Sequence, residues 1–147
     1  MKCLLDTCVI SEFSKPYPEK KLLEWIGGIP SERLYLSAIT IGEIRKGLTK
    51  LPNSRKKVRI AEWLNSLIED YGERILPIDL VVAESWGEVQ GLSEKQGIVI
   101  STIDGLIASV ARTNNLVLVT RNEKDFENCK IPIFNPWKLK NSEDEKT

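Results

Sequence analysis

Short apolar runs alternate with longer amphipathic segments along the chain, and this alternation restricts the possible folds more than any other feature. The candidate strands span residues 2–5, 33–37, 75–77, 116–120 and 131–134. Apolar residues at helical spacing mark segments at about residues 19–26, 41–50, 54–71, 80–96 and 101–114. Strands that alternate with helices favour a parallel sheet. We therefore predict a single α/β domain with a central, mainly parallel sheet of four to five strands.

Histidine is absent from the 147 residues, and its absence excludes several kinds of catalytic site. Neither a histidine acid–base pair nor a Ser-His-Asp triad can form. The cysteines, Cys3, Cys8 and Cys129, contain no C-x-x-C pair, so a zinc site is not indicated. They suit a reduced cytoplasmic protein, and we expect neither a signal peptide nor a membrane helix. The formal net charge is zero, so contact with a nucleic acid would need local basic patches.

Four acidic residues follow the candidate strands or lie on nearby helices. Asp6 ends the first apolar run, Glu43 lies in the segment 41–50, Asp104 follows the apolar run 98–100, and Asp125 follows the strand 116–120. In an open parallel sheet, the segments beyond the strand C-termini converge on one crevice, where ligands usually bind. Carboxylates gathered there without histidine suit a hard cation such as Mg²⁺ or Mn²⁺. The pattern predicts metal-dependent phosphodiesterase chemistry.

Each of these carboxylates also has an ordinary structural interpretation. Asp6 is a favoured residue for a helix N-cap, and Asp104 is the fourth residue of a capping box that opens at Ser101. Glu43 can be a solvated helix residue, and Asp125 can belong to a turn. Each residue alone is a weak indication, and the prediction rests on their joint placement.

Four segments resemble the motifs of PIN-domain ribonucleases, in the same order and with similar spacing. They are Leu-Leu-Asp-Thr-Cys-Val-Ile-Ser-Glu at 4–12, Leu-Ser-Ala-Ile-Thr-Ile-Gly-Glu-Ile-Arg-Lys-Gly at 36–47, Asp-Gly-Leu-Ile-Ala-Ser-Val-Ala at 104–111 and Leu-Val-Thr-Arg-Asn-Glu-Lys-Asp-Phe at 118–126. Among these proteins, the segments are most similar to VapC/FitB-type toxins of bacterial type II toxin–antitoxin systems. The resemblance covers residues 1–137.

The resemblance implies a three-layer α/β/α PIN domain over residues 1–137. The polar residues 138–147 would then be a disordered tail. It also implies a cytoplasmic homodimeric toxin that cleaves RNA endonucleolytically with Mg²⁺ or Mn²⁺ and a metal-activated water, and that a small cognate antitoxin inhibits. The positions that match the family's catalytic and metal-binding acids are Asp6, Glu43, Asp104 and Asp125, and the supporting polar positions are Thr120 and Asn122.

Residues near these segments extend the prediction and mark one departure from the family. Arg45 and Arg121 are candidate substrate contacts because they adjoin matched segments. Cys8 stands where many members carry Asn, and a thiol is a poorer hydrogen-bonding group for supporting Asp6. A basic cluster is either an RNA phosphate patch or, as we favour, a solvated helical face. Its members are Lys46, Lys50, Arg55, Lys56, Lys57 and Arg59.

Two other functional classes are compatible with acids beyond parallel strands. A solitary PIN nuclease would share the chemistry but lack a toxin role. A non-catalytic binding or signalling module could use an acidic crevice to hold Mg²⁺ or to receive basic residues of a partner. A signalling receiver is disfavoured because Asp6 lacks an adjacent acid, and an aspartyl phosphatase would need Asp where Cys8 stands.

Overall fold

Five short strands form one parallel sheet in the computed structural model, which describes residues 1–140. The strands are β1 (Cys3–Leu5), β2 (Leu34–Ser37), β3 (Ile75–Leu76), β4 (Val117–Val119) and β5 (Ile133–Phe134). Their order across the sheet is β3-β2-β1-β4-β5, which places β1 at the centre. The predicted parallel α/β sheet is confirmed, although each strand is shorter than its apolar run. Residues 141–147, most of the predicted tail, lie outside the described residues.

The helices begin directly after the strands or after short turns. They are α1 (Thr7–Glu12), α2 (Lys20–Gly27), α3 (Ala38–Lys50), α4 (Arg55–Tyr71), α5 (Leu80–Lys95), α6 (Thr102–Thr113) and α7 (Glu123–Phe126). Helix α3 begins three residues before the predicted start at 41, because the Ser37 side chain accepts a hydrogen bond from the Ile39 N–H. Asp125, for which a turn was an alternative, lies in the short helix α7.

The sheet separates two apolar cores, as a three-layer α/β/α fold requires. Along β1, Cys3 and Leu5 belong to the core with α1 to α4, whereas Leu4 belongs to the core with α5 to α7. Strand β4 shows the same alternation, with Val119 in the first core and Leu118 in the second. This two-residue period follows from side chains pointing alternately to opposite faces of a strand.

The C-terminal edge of the sheet is the place where the candidate site forms. Only Asp6 separates β1 from helix α1, α3 starts immediately after β2, and β1 and β4 are adjacent strands. The Asp6 N–H donates to the Val119 carbonyl at 2.9 Å, so the ends of β1 and β4 are joined at this edge. Helix α3 also contacts both α1 and α6. The fold thus brings together the segments that carry Asp6, Glu43, Asp104 and Thr120.

Other apolar segments mainly complete the cores. Trp25, Trp63 and Trp137 pack against the first core. Leu64 and Leu67 of α4 are buried in the same core. Within residues 1–140, no helix combines the length and apolar character needed to cross a membrane.

Candidate active site

Asp6 is a buried carboxylate whose two oxygens have different partners. Its side chain caps α1, since Oδ1 accepts a hydrogen bond from the Thr7 N–H at 2.8 Å. Oδ2 accepts from the Thr120 hydroxyl at 2.7 Å, across the gap between β1 and β4. Asp6 is only 5% exposed, so these donors replace the water that a free carboxylate would bind. The capping role and a role in the site therefore coexist in one side chain.

Cys8 also contacts Asp6. Its Sγ donates to Asp6 Oδ2 at 3.4 Å and lies 3.6 Å from Thr120 Oγ1. Burial, followed by the charge of Asp6, raises the pKa of the Cys8 thiol to about 11. The group is therefore a neutral thiol at physiological pH and acts as a donor. The position still supports Asp6, through a longer contact than the one from Thr120.

Glu43 is connected to Asp6 through Thr7. The Thr7 hydroxyl donates to Glu43 Oε1 at 2.6 Å and lies 3.1 Å from the hydroxyl of buried Thr40. Thr7 thereby links the first turn of α1 to the first half of α3. The sequence did not single out Thr7, because nothing in the spacing of two residues 36 positions apart indicates such a bond.

The charge of Asp104 acts on Asp6, and the charge of the exposed Asp125 acts on Asp104. Burial is the main cause that raises the pKa of Asp6, and the charge of Asp104 raises it further. Burial likewise raises the pKa of Asp104, with a further increase from the charge of Asp125. The Ser101 hydroxyl oxygen accepts from the Asp104 N–H at 3.2 Å, so the predicted N-terminal cap of α6 is also present. Asp104 therefore experiences a like charge from Asp125, and Asp6 experiences one from Asp104.

The acidic side chains of the site suit a hydrated cation, but they do not surround an ion on all sides. Within residues 1–140, no three acidic or cysteine side chains converge closely enough to enclose a metal ion. Within the same range, the salt bridges are Lys15–Glu12 and Lys138–Glu123, so neither neutralises the four predicted acids. Mg²⁺ usually takes one or two carboxylates and keeps several waters. An oxygen-only, uncompensated site of this kind suits such a hydrated ion.

Of the remaining predicted residues, Asn122 is linked to Asp6 through Thr120, and Arg45 and Arg121 are exposed. The Asn122 N–H donates to Thr120 Oγ1 at 3.0 Å, and so supports the hydroxyl that binds Asp6 through its backbone. Arg121 is exposed, and its guanidinium lies over the Trp137 ring, 5.5 Å from the centroid. Arg45 is exposed on α3, two residues beyond Glu43. In the basic cluster, Lys57 donates to the Leu51 carbonyl and Arg59 donates to the Ser14 carbonyl.

Known proteins resemble this chain in sequence over most of its length. The family model described as the PIN domain matches residues 3–131. The chain belongs to the PIN-domain family. Toxin FitB of Neisseria gonorrhoeae is 37% identical over 135 residues, which are 91% of this chain and 97% of FitB. VapC ribonuclease Y4jK of Sinorhizobium fredii is 36% identical over 91% of this chain and 96% of its own length.

A solved structure also has a similar fold. The crystal structure of FitAcB from Neisseria gonorrhoeae contains a chain with a TM-score of 0.87 and 37% identity, covering 93% of this PIN-domain protein and 99% of that chain. The predicted three-layer PIN fold and the resemblance to FitB/VapC-type toxins are both confirmed.

Proposed function

We propose that this PIN-domain protein is a Mg²⁺- or Mn²⁺-dependent endoribonuclease toxin that a cognate antitoxin inhibits. The observation that carries the proposal is the buried carboxylate of Asp6, fixed by Thr120 and Thr7 and destabilised by the nearby charge of Asp104. A divalent cation would relieve this repulsion. The name of the relative Y4jK, a VapC ribonuclease, supports RNA as the substrate.

Asp6 and Asp104 are the principal groups that we propose to hold the ion, and Glu43 and Asp125 complete the acidic set. When bound, a divalent ion supplies positive charge for the scissile phosphate and lowers the pKa of water. The protein contributes a rigid frame, because Thr120 and the Thr7 N–H fix the two oxygens of Asp6. Asn122 contributes through Thr120.

Proton transfer must use groups other than histidine, which the chain lacks. A general base has to be a positioned group within reach of the proton that it accepts. Glu43 is our candidate, because Thr7 fixes its Oε1 at 2.6 Å and thereby limits the positions of the carboxylate. The neutral Cys8 thiol is a poor base for the same step, since its pKa is raised to about 11.

Arg121 is our principal candidate for binding an RNA phosphate beside the site. It directly follows Thr120, whose hydroxyl binds Asp6, so its backbone position is tied to the site. The Trp137 ring lies under its guanidinium, and this stacking restricts the side chain while its fork of donors can face a phosphate. Arg45, exposed beyond Glu43, is a second candidate.

We propose that the antitoxin binds a groove whose lining includes Glu43. This groove, with a volume of about 270 Å³, runs between α1, α3 and α4, and its lining includes Glu43, Gly47, Leu48, Lys56, Ile60 and Trp63. Its apolar floor suits the apolar side chains of a helix or an extended segment. An Arg or Lys of the antitoxin could then reach the uncompensated carboxylates and take the place of the metal charge.

We further propose a homodimer that acts in the cytoplasm, where its RNA substrates are. Exposed apolar residues at the start of α5, Leu80 and Val81, are candidates for the contact between copies. Light scattering at micromolar concentration tests this state, with a dimeric mass as the expected result. A monomeric mass for the free protein and for its antitoxin complex would contradict it.

The proposed function is tested by incubating purified protein with RNA, with Mn²⁺ and with excess EDTA. Cleavage that requires the ion supports the nuclease, and cleavage in EDTA contradicts the metal role. Co-expression with the small open reading frame beside this gene separates the toxin from a solitary PIN nuclease. A complex that no longer cleaves supports the antitoxin, whereas a complex that cleaves normally contradicts inhibition at the site.

A further inference from the structure

Gln90 connects α5 to the turn that begins α6. Its Nε2 donates to the Ile100 carbonyl at 2.7 Å. The next residue, Ser101, caps α6: its hydroxyl oxygen accepts from the Asp104 N–H at 3.2 Å, and its carbonyl accepts from the Gly105 N–H at 2.9 Å. The Gln90 amide therefore holds the chain immediately before the turn that orients Asp104.

The other end of the same amide lies against Gly105. A Cβ at this buried position would be 2.8 Å from Gln90 Oε1 and 3.1 Å from Trp86 Cδ1 and Nε1. The side chains of α5 thus lie so close to the backbone of α6 that a residue larger than glycine at position 105 would have to displace them. Because Gly105 follows Asp104 directly, Gln90 contacts the chain on both sides of Asp104.

Packing alone does not explain a glutamine at this position. Within residues 1–140, Gln90 Oε1 and Trp86 Nε1 are buried without a hydrogen-bond partner. Buried polar atoms without partners destabilise a fold, so leucine or methionine would suit a purely apolar contact better. What glutamine adds is the hydrogen bond to Ile100.

We infer that Gln90 is a positioning residue for Asp104, and that Gly105 provides the space that the Gln90 side chain requires. The inference rests on the proposed function in one respect, the role of Asp104 in holding a divalent ion. Partners that orient metal ligands typically change metal affinity by about 10- to 100-fold when they are mutated. Gln90 does not bond the Asp104 side chain but holds the backbone before it, so we expect a change in metal affinity near the lower end of this range.

The decisive measurement is Mn²⁺ binding by isothermal titration calorimetry, without RNA, on the full-length protein. Gln90→Met keeps a side chain of similar length but removes the amide. We expect its Mn²⁺ dissociation constant to rise about tenfold. Gln96→Met, at the exposed C-terminal end of α5, is the matched control and should bind Mn²⁺ like the wild type.

An activity measurement separates positioning from a general loss of structure. At saturating Mn²⁺, Gln90→Met should regain most of the RNA cleavage rate, because the ion itself can hold Asp104 in place. Asp104→Asn should not recover at any Mn²⁺ concentration. Circular dichroism confirms that each variant is folded before it is titrated.

Three outcomes decide the inference. Wild-type Mn²⁺ affinity in folded Gln90→Met would overturn it. If Gln90→Met does not fold, Gly105→Ala replaces it, since the added Cβ must displace the Gln90 amide; wild-type affinity in that variant would also overturn the inference. If the wild type binds no Mn²⁺, the proposed function itself fails, which is a distinct result from a selective effect of Gln90.

Discussion

Burial of the Asp6 carboxylate near the half-buried Asp104 makes the site a local source of instability when no cation is bound. The pKa of Asp6 is raised above 3.8 chiefly by burial, and then by the charge of Asp104. Burial and Asp125 raise the pKa of Asp104 in the same direction. Because these folded-state pKa values exceed the unfolded ones, the groups favour folding below about pH 3.8, and this contribution is lost as the pH rises through the folded pKa.

The first prediction concerns Asp6→Asn in excess EDTA. The variant should have a higher thermal unfolding midpoint than the wild type at pH 7, because it removes a buried charge that Asp104 repels. The difference should shrink as the pH falls toward 4 and Asp6 becomes protonated. Differential scanning calorimetry across this range measures it.

Glu69→Gln is the control for the Asp6 variant, since it removes a charge from the exposed face of α4. It should follow the wild-type pH dependence. A lower unfolding midpoint for Asp6→Asn at pH 7 would show that the hydrogen bonds of the charged carboxylate outweigh its repulsion and burial, and would contradict this account of the site.

A second prediction concerns Thr7, whose hydroxyl binds Glu43. Thr7→Val keeps the branched shape but removes the donor, so it should lower RNA cleavage by about 10- to 100-fold, as the loss of other orienting partners does. Thr7→Ser retains the hydroxyl and should stay within a fewfold of the wild type. Single-turnover cleavage at fixed Mn²⁺ compares them, and equal rates for Thr7→Val and Thr7→Ser would exclude the positioning role.

Among the secondary-structure elements, α3 carries a glycine that its own structure does not need. Gly47 lies in the helix interior, and a Cβ there would meet no atom within 4 Å. Glycine at such a position destabilises a helix by about 1 kcal/mol relative to alanine. Gly47 also lines the groove that leads to Glu43, where the lack of a side chain keeps the groove open.

The third prediction uses Gly47 to test the groove. Gly47→Ala should stabilise the protein by about 0.5–1 kcal/mol and still bind the antitoxin. Gly47→Phe should remain folded but fill the groove, and its affinity for the co-expressed antitoxin should fall at least about tenfold, the equivalent of about 1.4 kcal/mol. Thermal unfolding measures the stability of each variant, and a pull-down titration measures its affinity for the antitoxin. Undiminished binding by Gly47→Phe would place the antitoxin elsewhere.

The sequence predicts the elements well and the contacts between them less well. The two-residue and helical periods of apolar residues were sufficient for the five strands and the main helices, since both periods are local properties. Helix ends depended on caps such as Ser37, which is also a strand residue, so the predicted start of α3 was late. Thr7 and Gln90 act on residues of other elements, and local patterns carry no information about such contacts.

For the molecule as a whole, the acidic residues also show that local sequence patterns do not predict how separate elements pack together. Their sequence positions after strands predicted a common crevice; in the structure, beyond the effect of burial, the charge of Asp104 raises the pKa of Asp6 and the charge of Asp125 raises the pKa of Asp104. Their exact separations were not predictable, because they depend on how α3 and α6 pack at the sheet edge. Among the described residues, no three acidic or cysteine side chains converge on one point, so a bound ion would need ligands from water or phosphate as well.

A fourth prediction follows for global stability. Binding of Mn²⁺ to the folded state alone should stabilise the protein by about 2.7 kcal/mol at an ion concentration 100 times the dissociation constant. The unfolding midpoint should therefore rise with Mn²⁺ in the wild type and return to its starting value after EDTA is added. Asp6→Asn should show a much smaller rise, and an equal rise in both proteins would place the ion outside the proposed site.

The most direct test of the central claim is the rate of RNA cleavage by three purified proteins, the wild type, Asp6→Asn and Asp104→Asn, each with Mn²⁺ and with excess EDTA. We predict that only the wild type with Mn²⁺ cleaves, and that both variants fall by at least about 100-fold while remaining folded. The exposed-charge variant Glu69→Gln should cleave like the wild type. Wild-type rates in either aspartate variant, or undiminished cleavage in EDTA, would contradict a metal-dependent nuclease site built on Asp6 and Asp104.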